Sequence, residues 1–74
     1  MNNFTLEFIN NFKENLNSGL YNFNNNINAL IDKKELLSDP NFDNLNNELK
    51  SIGYSIKILK IKDKSVHCEI TKIN

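Results

Sequence analysis

His67 and Cys68 are adjacent, and they are the only histidine and the only cysteine in the chain. Such a pair invites a nucleophilic or metal-binding reading. A thiol nucleophile needs a base within reach, and a zinc site needs a full set of nitrogen and sulfur ligands. The residues around the pair alternate as in a β-strand, where neighbours point to opposite faces. His67 is therefore expected on the solvent side and Cys68 in the core, which separates them. No second His or Cys exists to complete a zinc site of the usual composition. Glu7 and Glu14 are seven apart and share a helical face, but acid–base work would require a cleft that divides their pKa values. They read as solvated surface charge. Gly19 and Gly53 are the only glycines, and each reads as a helix stop, not as part of a phosphate loop. No catalytic, metal or cofactor-binding residue is assigned, and an enzyme is not expected.

The lysines carry the remaining chemistry. Residues 1–49 hold three lysines against seven acids, a formal −4, and residues 50–74 hold six lysines against Asp63 and Glu69, a formal +4. The zero net charge is thus the sum of two opposed parts, a distribution that steers an oppositely charged partner or a second copy of the chain. Lys57 and Lys60 are expected beside His67 on the outer face of a C-terminal hairpin, with Lys62 and Lys64 at its tip. Lys57, Lys60, Lys62, Lys64 and His67 are the candidate partner-binding residues. The plainer reading is a solvated sheet face whose lysines block edge pairing.

The elements that position these residues follow from apolar spacing. Phe4, Phe8, Phe12 and Leu16 are four apart, which predicts a helix over 4–17 with one phenyl-rich core face. Leu20, Phe23, Ile27, Leu30 and Ile31 continue in the same phase. That predicts a second helix over 20–37 after a break at Asn17-Ser18-Gly19, with one unbroken helix from 4 to 37 as the alternative. Ser38-Asp39-Pro40 marks a boundary, with Asp39 as the cap and Pro40 in the first turn of a helix over 40–51. Phe42, Leu45, Leu49 and Ile52 form its apolar stripe, and Gly53 ends it.

The last twenty residues predict an antiparallel hairpin, 54–62 and 65–73, turning at Asp63-Lys64. Strict alternation fails in the first strand unless a bulge lies near 58–59. With that bulge Ile61 faces Val66, Ile58/Leu59 face Cys68, and Ile56 faces Ile70. Lys60 then faces His67, Lys57 faces Glu69, and Ser55 faces Thr71. One face is apolar, the other is polar, and a slip of one residue would scramble both. The expected fold is α+β: two or three N-terminal helices packed on a two-stranded hairpin, with 1–74 forming one small domain.

A chain of 74 residues buries a modest core, and with no disulfide or metal staple oligomerisation is the expected reinforcement. Two strands alone leave open edges that another copy can extend. Sixteen residues are Asn and none is Arg, a composition that suits an AT-rich genome such as a low-GC bacterium or its phage. The lone cysteine fits a reducing compartment, and the interrupted N-terminal apolar residues match neither a leader nor a membrane span. The expectation is a cytoplasmic, non-catalytic interaction module that regulates or blocks a larger protein, such as a phage or mobile-element inhibitor of a host defence enzyme. A winged-helix-like nucleic-acid binder is the second expectation, weakened by the absence of Arg and by Asp43 and Glu48 on the candidate reading helix. A structural or assembly subunit is the third.

Overall fold

The computed structural model describes residues 3–19 and 26–73. The phenyl-spaced segment is helix α1, Asn3–Asn17. Thr5, Ile9 and Phe12 form its buried line, and Phe4, Phe8 and Leu16 are half-buried beside it. Gly19 ends it with φ +75° and an N–H bonded to Leu16 O at 3.2 Å. A left-handed residue at this place suits glycine, which has no Cβ to clash.

The expected helix over 20–37 is not formed. Residues 20–25 lie outside the described residues. Ile27–Asp32 is strand β1, followed by the single helical turn α2, Lys33–Leu36. The alternative of one helix from 4 to 37 is excluded by the same strand. Ile27, Ala29 and Ile31 face the core while Asn28, Leu30 and Asp32 face out, a period of two hidden inside apolar spacing that also suits a helix. The free side of the C-terminal hairpin decides between the two, because pairing there satisfies a row of backbone groups that would otherwise be bare. Asp32 then starts α2: its carboxylate accepts from Glu35 N at 3.0 Å.

Helix α3, Asn41–Ser51, follows the 37–40 link. It begins one residue later than expected, and Asp39 does not cap it. Pro40 occupies the cap position and no side chain caps there. The helix start is instead tied to α2: Asn41 Nδ2 donates to Glu35 O at 2.6 Å, and Asn41 N donates to Ser38 O at 2.7 Å. Leu45 and Leu49 are fully buried, with Phe42 and Ile52 packed beside them. Gly53 ends the helix at φ +89°, as its position suggested.

Strands β2, Tyr54–Ile61, and β3, Ser65–Lys72, form the expected hairpin, each slightly shorter than the sequence reading. Every expected cross-strand pair is present, including Lys57 with Glu69 and Lys60 with His67, and the register shifts between Ile58 and Lys60, so that Leu59 is the extra residue. The sheet has three strands in the order β1-β3-β2, not two. β1 pairs with β3, setting Ile31 opposite Val66 and Ile27 opposite Ile70. Val66, Cys68 and Ile70 therefore lie at the centre of the core, at 0%, 0% and 1% exposure. Ile61 departs from expectation. It pairs with Val66 but is 52% exposed, because it ends an edge strand with no neighbour beyond it among the described residues.

Candidate functional site

The adjacent His67 and Cys68 part as strand geometry requires. Cys68 is buried and free, and its Sγ lies 3.9 Å from Val66 O. Burial pushes the Cys68 thiol up from its usual range, which lowers the thiolate fraction near neutral pH and makes it a poor nucleophile. A thiol reagent at pH 8 should react with Cys68 far more slowly in the native protein than in urea; equal rates would contradict its burial. His67 lies on the opposite face, half-buried, with Nε2 3.1 Å from Asn28 Oδ1. The amide oxygen can only accept, so this contact is a hydrogen bond in the tautomer that carries the proton on Nε2. Among the described residues no group of three His, Cys, Asp or Glu side chains could hold a metal ion. No helix among them is long and apolar enough to cross a membrane.

The outer face of the sheet is the surface that no described element covers. Ser65, His67, Glu69 and Thr71 of the central strand run along its middle. Lys57 and Lys60 flank them on β2, and Asn28 and Leu30 flank them on β1. Lys57 Nζ lies 3.6 Å from Glu69 Oε1, with the lysine 67% exposed. A pair so exposed contributes at most about 1 kcal/mol, and it leaves Lys60 as the cation of that row without an opposite charge directly across the ladder.

The tip of the hairpin gathers more charge than the sequence reading assigned to it. The β2–β3 turn is closed by Lys62 N donating to Ser65 O at 2.8 Å, and Lys33 N donates to Lys64 O at 3.1 Å. The second bond docks the start of α2 against the turn. Lys33 and Lys34, which belong to the acidic part of the sequence, therefore line one cleft with Lys64, Leu37, Asp32 and Asp63. On the other side Lys62 approaches His67, Asn28 and Leu30 around a shallow depression. Lys57, Lys60 and His67 are on the outer face and Lys62 and Lys64 at the tip, as expected, and Lys33 and Lys34 join them.

The sequence reading missed those two lysines because it placed them late in a long helix. The signal was present: Asp32-Lys33-Lys34-Glu35 before Leu36 is a cap residue followed three positions later by an acid, a helix start. Large apolar side chains accompany the lysines. Leu30 is 65% exposed, Ile61 52%, Leu59 46% and Leu37 43%, and all four lie in the half of the fold nearest the turn. Comparison with known protein families, curated proteins and solved structures gives no match.

Proposed function

We propose that this chain is a non-catalytic docking domain that binds an acidic surface of a larger protein and regulates or blocks it. The observation that carries this reading is the mixture at the hairpin end of the fold, where exposed lysines stand among exposed leucine and isoleucine side chains. Apolar anchors surrounded by charge suit a protein surface, in which the apolar residues supply burial and the rim supplies steering. A phosphate backbone would make little use of Leu37 or Leu59.

A second reading has one specific observation in its favour. The order helix, strand, helix, link, helix and hairpin matches a winged-helix reader, with α2 and α3 joined by the short 37–40 link as in a helix-turn-helix unit. α3 would read and the hairpin would be the wing. The exposed residues of α3 include Asp43 and Asn47, with Lys50 as its lysine, a poor surface for a polyanion.

The test is a tagged pull-down from source-type cells with and without nuclease. A nuclease-resistant protein should be recovered, and the triple variant Lys60→Glu, Lys62→Glu, Lys64→Glu should bind it about tenfold or more weakly, with the loss mainly in association rate. Unchanged binding by a folded triple variant would remove this surface from the reading. Recovery of nucleic acid alone, released by nuclease and by moderate salt, would replace the reading with the winged-helix one.

A further inference from the structure

The direction of the backbone groups along β1 follows from the rest of the sheet. Lys62 N donates to Ser65 O, and Ile73 N donates to Gly53 O, so Ser65 and Ile73 direct their backbone groups toward β2. Ile56 N instead turns away from β3, toward Asn46 Oδ1 of α3 at 3.5 Å. In an antiparallel ladder the N–H and C=O of one residue point to the same side, and the side alternates. Val66, Cys68 and Ile70 therefore bond to β1, and their partners Ile31, Ala29 and Ile27 point inward. Asn28 and Leu30 then direct their N–H and C=O groups away from the sheet. Among the described residues no element lies along that side and no backbone hydrogen bond reaches it.

The two edges of the sheet are built differently. The β2 edge carries a bulge, Lys57 and Lys60, and the Asn46 amide from α3, which are ordinary means of preventing strand addition. β1 has a regular register, no lysine and no proline. It also places Leu30, 65% exposed, on a face that is otherwise mostly polar.

We propose that β1 pairs antiparallel with β1 of a second copy of this chain, across a two-fold axis at Ala29, joining the two three-stranded sheets into one. The side-chain pattern is compatible with this register. With Ala29 opposite its own copy, Ile27 meets Ile31 on the core side and Asn28 meets Leu30 on the outer side. A slip of one residue would set core-facing residues against outward ones. The Asn28–Leu30 pairs are the ones whose backbone groups point outward, so they form about four new hydrogen bonds. Leu30 and its copy become diagonal neighbours within reach of one another, which gives the exposed leucine a partner. No like charges face each other in the 27–31 segment, and the 62–64 turn stays free for the proposed docking role.

The experiment is sedimentation equilibrium on the full chain. The wild type should give twice the 8.6 kDa chain mass at micromolar concentration. Leu30→Pro removes an N–H that the monomer does not use, at an edge position that tolerates proline. It should weaken dimerisation about 10- to 100-fold through two lost hydrogen bonds per dimer, with the circular dichroism spectrum retained. Leu30→Lys keeps the N–H, places two cations side by side across the axis, and should also shift the chain toward monomer. A wild type that remains monomeric up to about millimolar concentration, where Kd corresponds to only about 4 kcal/mol, overturns the proposal. So does a dimer whose affinity survives both substitutions; if Leu30→Pro does not fold, Leu30→Lys decides alone.

Discussion

Phe12→Ala should lower folding stability by about 3–5 kcal/mol, the range for truncating a buried phenylalanine. α1 has no backbone ladder to the sheet and is held by side chains alone. Phe12 is the aromatic side chain of that contact with the least exposure, 3%. Its ring meets Tyr54 edge-on at 5.1 Å and stacks on Phe8 at 6.5 Å. Truncation therefore leaves a cavity between helix and sheet and removes an aromatic pair at the start of β2. A domain of this length has only about 4–11 kcal/mol of total stability at ordinary per-residue values, so the loss is a large share of the total. Urea denaturation followed by circular dichroism measures the loss. A double-mutant cycle with Tyr54→Leu should return a coupling of about 0.5–1.5 kcal/mol for the aromatic pair. A loss below about 1 kcal/mol for Phe12→Ala would mean that α1 does not pack as described.

The hairpin was legible in the sequence because its signal is over-determined. β-Branched residues, a turn at Asp63-Lys64 and the need to keep Lys57, Lys60 and His67 off the apolar face together allow one register, and that register requires the bulge at Leu59. α3 was legible for a similar reason: its stripe is narrow and Gly53 ends it. The segment 27–32 was not legible, because Ile27, Leu30 and Ile31 satisfy a helical stripe as well as an alternating strand. What selects the strand is a bare hairpin side elsewhere in the chain, and no local periodicity records that. The candidate surface followed the same division. The positions of Lys57, Lys60, Lys62, Lys64 and His67 are set by the hairpin itself and were legible. Lys33 and Lys34 reach the tip only because β1 pairs with β3, so misreading β1 hid them.

The charge split of the sequence therefore changes meaning in three dimensions. Along the chain it divides at residue 50. In the fold, Lys33 and Lys34 cross to the basic end, while Glu7 and Glu14 remain on α1 and Asp43 and Glu48 on α3. α1 and α3 are each only weakly acidic, at a formal −1, and the apolar-studded hairpin end keeps an excess of lysine although Asp32 and Asp63 stand among its cations. For the acidic partner proposed above, this asymmetry would favour approach to the hairpin end over approach to the helices.

Leu49→Ala should cost about 2–5 kcal/mol, and its consequences should extend to the edge of the sheet. Leu45 and Leu49 are one turn apart on α3, both at 0% exposure, and the helix lies against both α1 and β2. The side-chain amide oxygen of Asn46 on the same helix accepts the outward N–H of Ile56, so the packing of Leu49 also keeps that edge of β2 covered. Loosening the helix should expose this amide: its hydrogen exchange in Leu49→Ala should accelerate more than that of the Lys57 amide, which is bonded within the hairpin. Leu37→Ala is the contrast. Leu37 is 43% exposed, and its truncation should cost less than about 1 kcal/mol and leave the Ile56 amide protected. If exchange at Ile56 and Lys57 rises equally in Leu49→Ala, the hairpin opens as one unit and α3 does not guard the edge. A selective rise at Ile56 would make α3 both a core element and the cover of β2, leaving β1 as the edge that is open to strand addition.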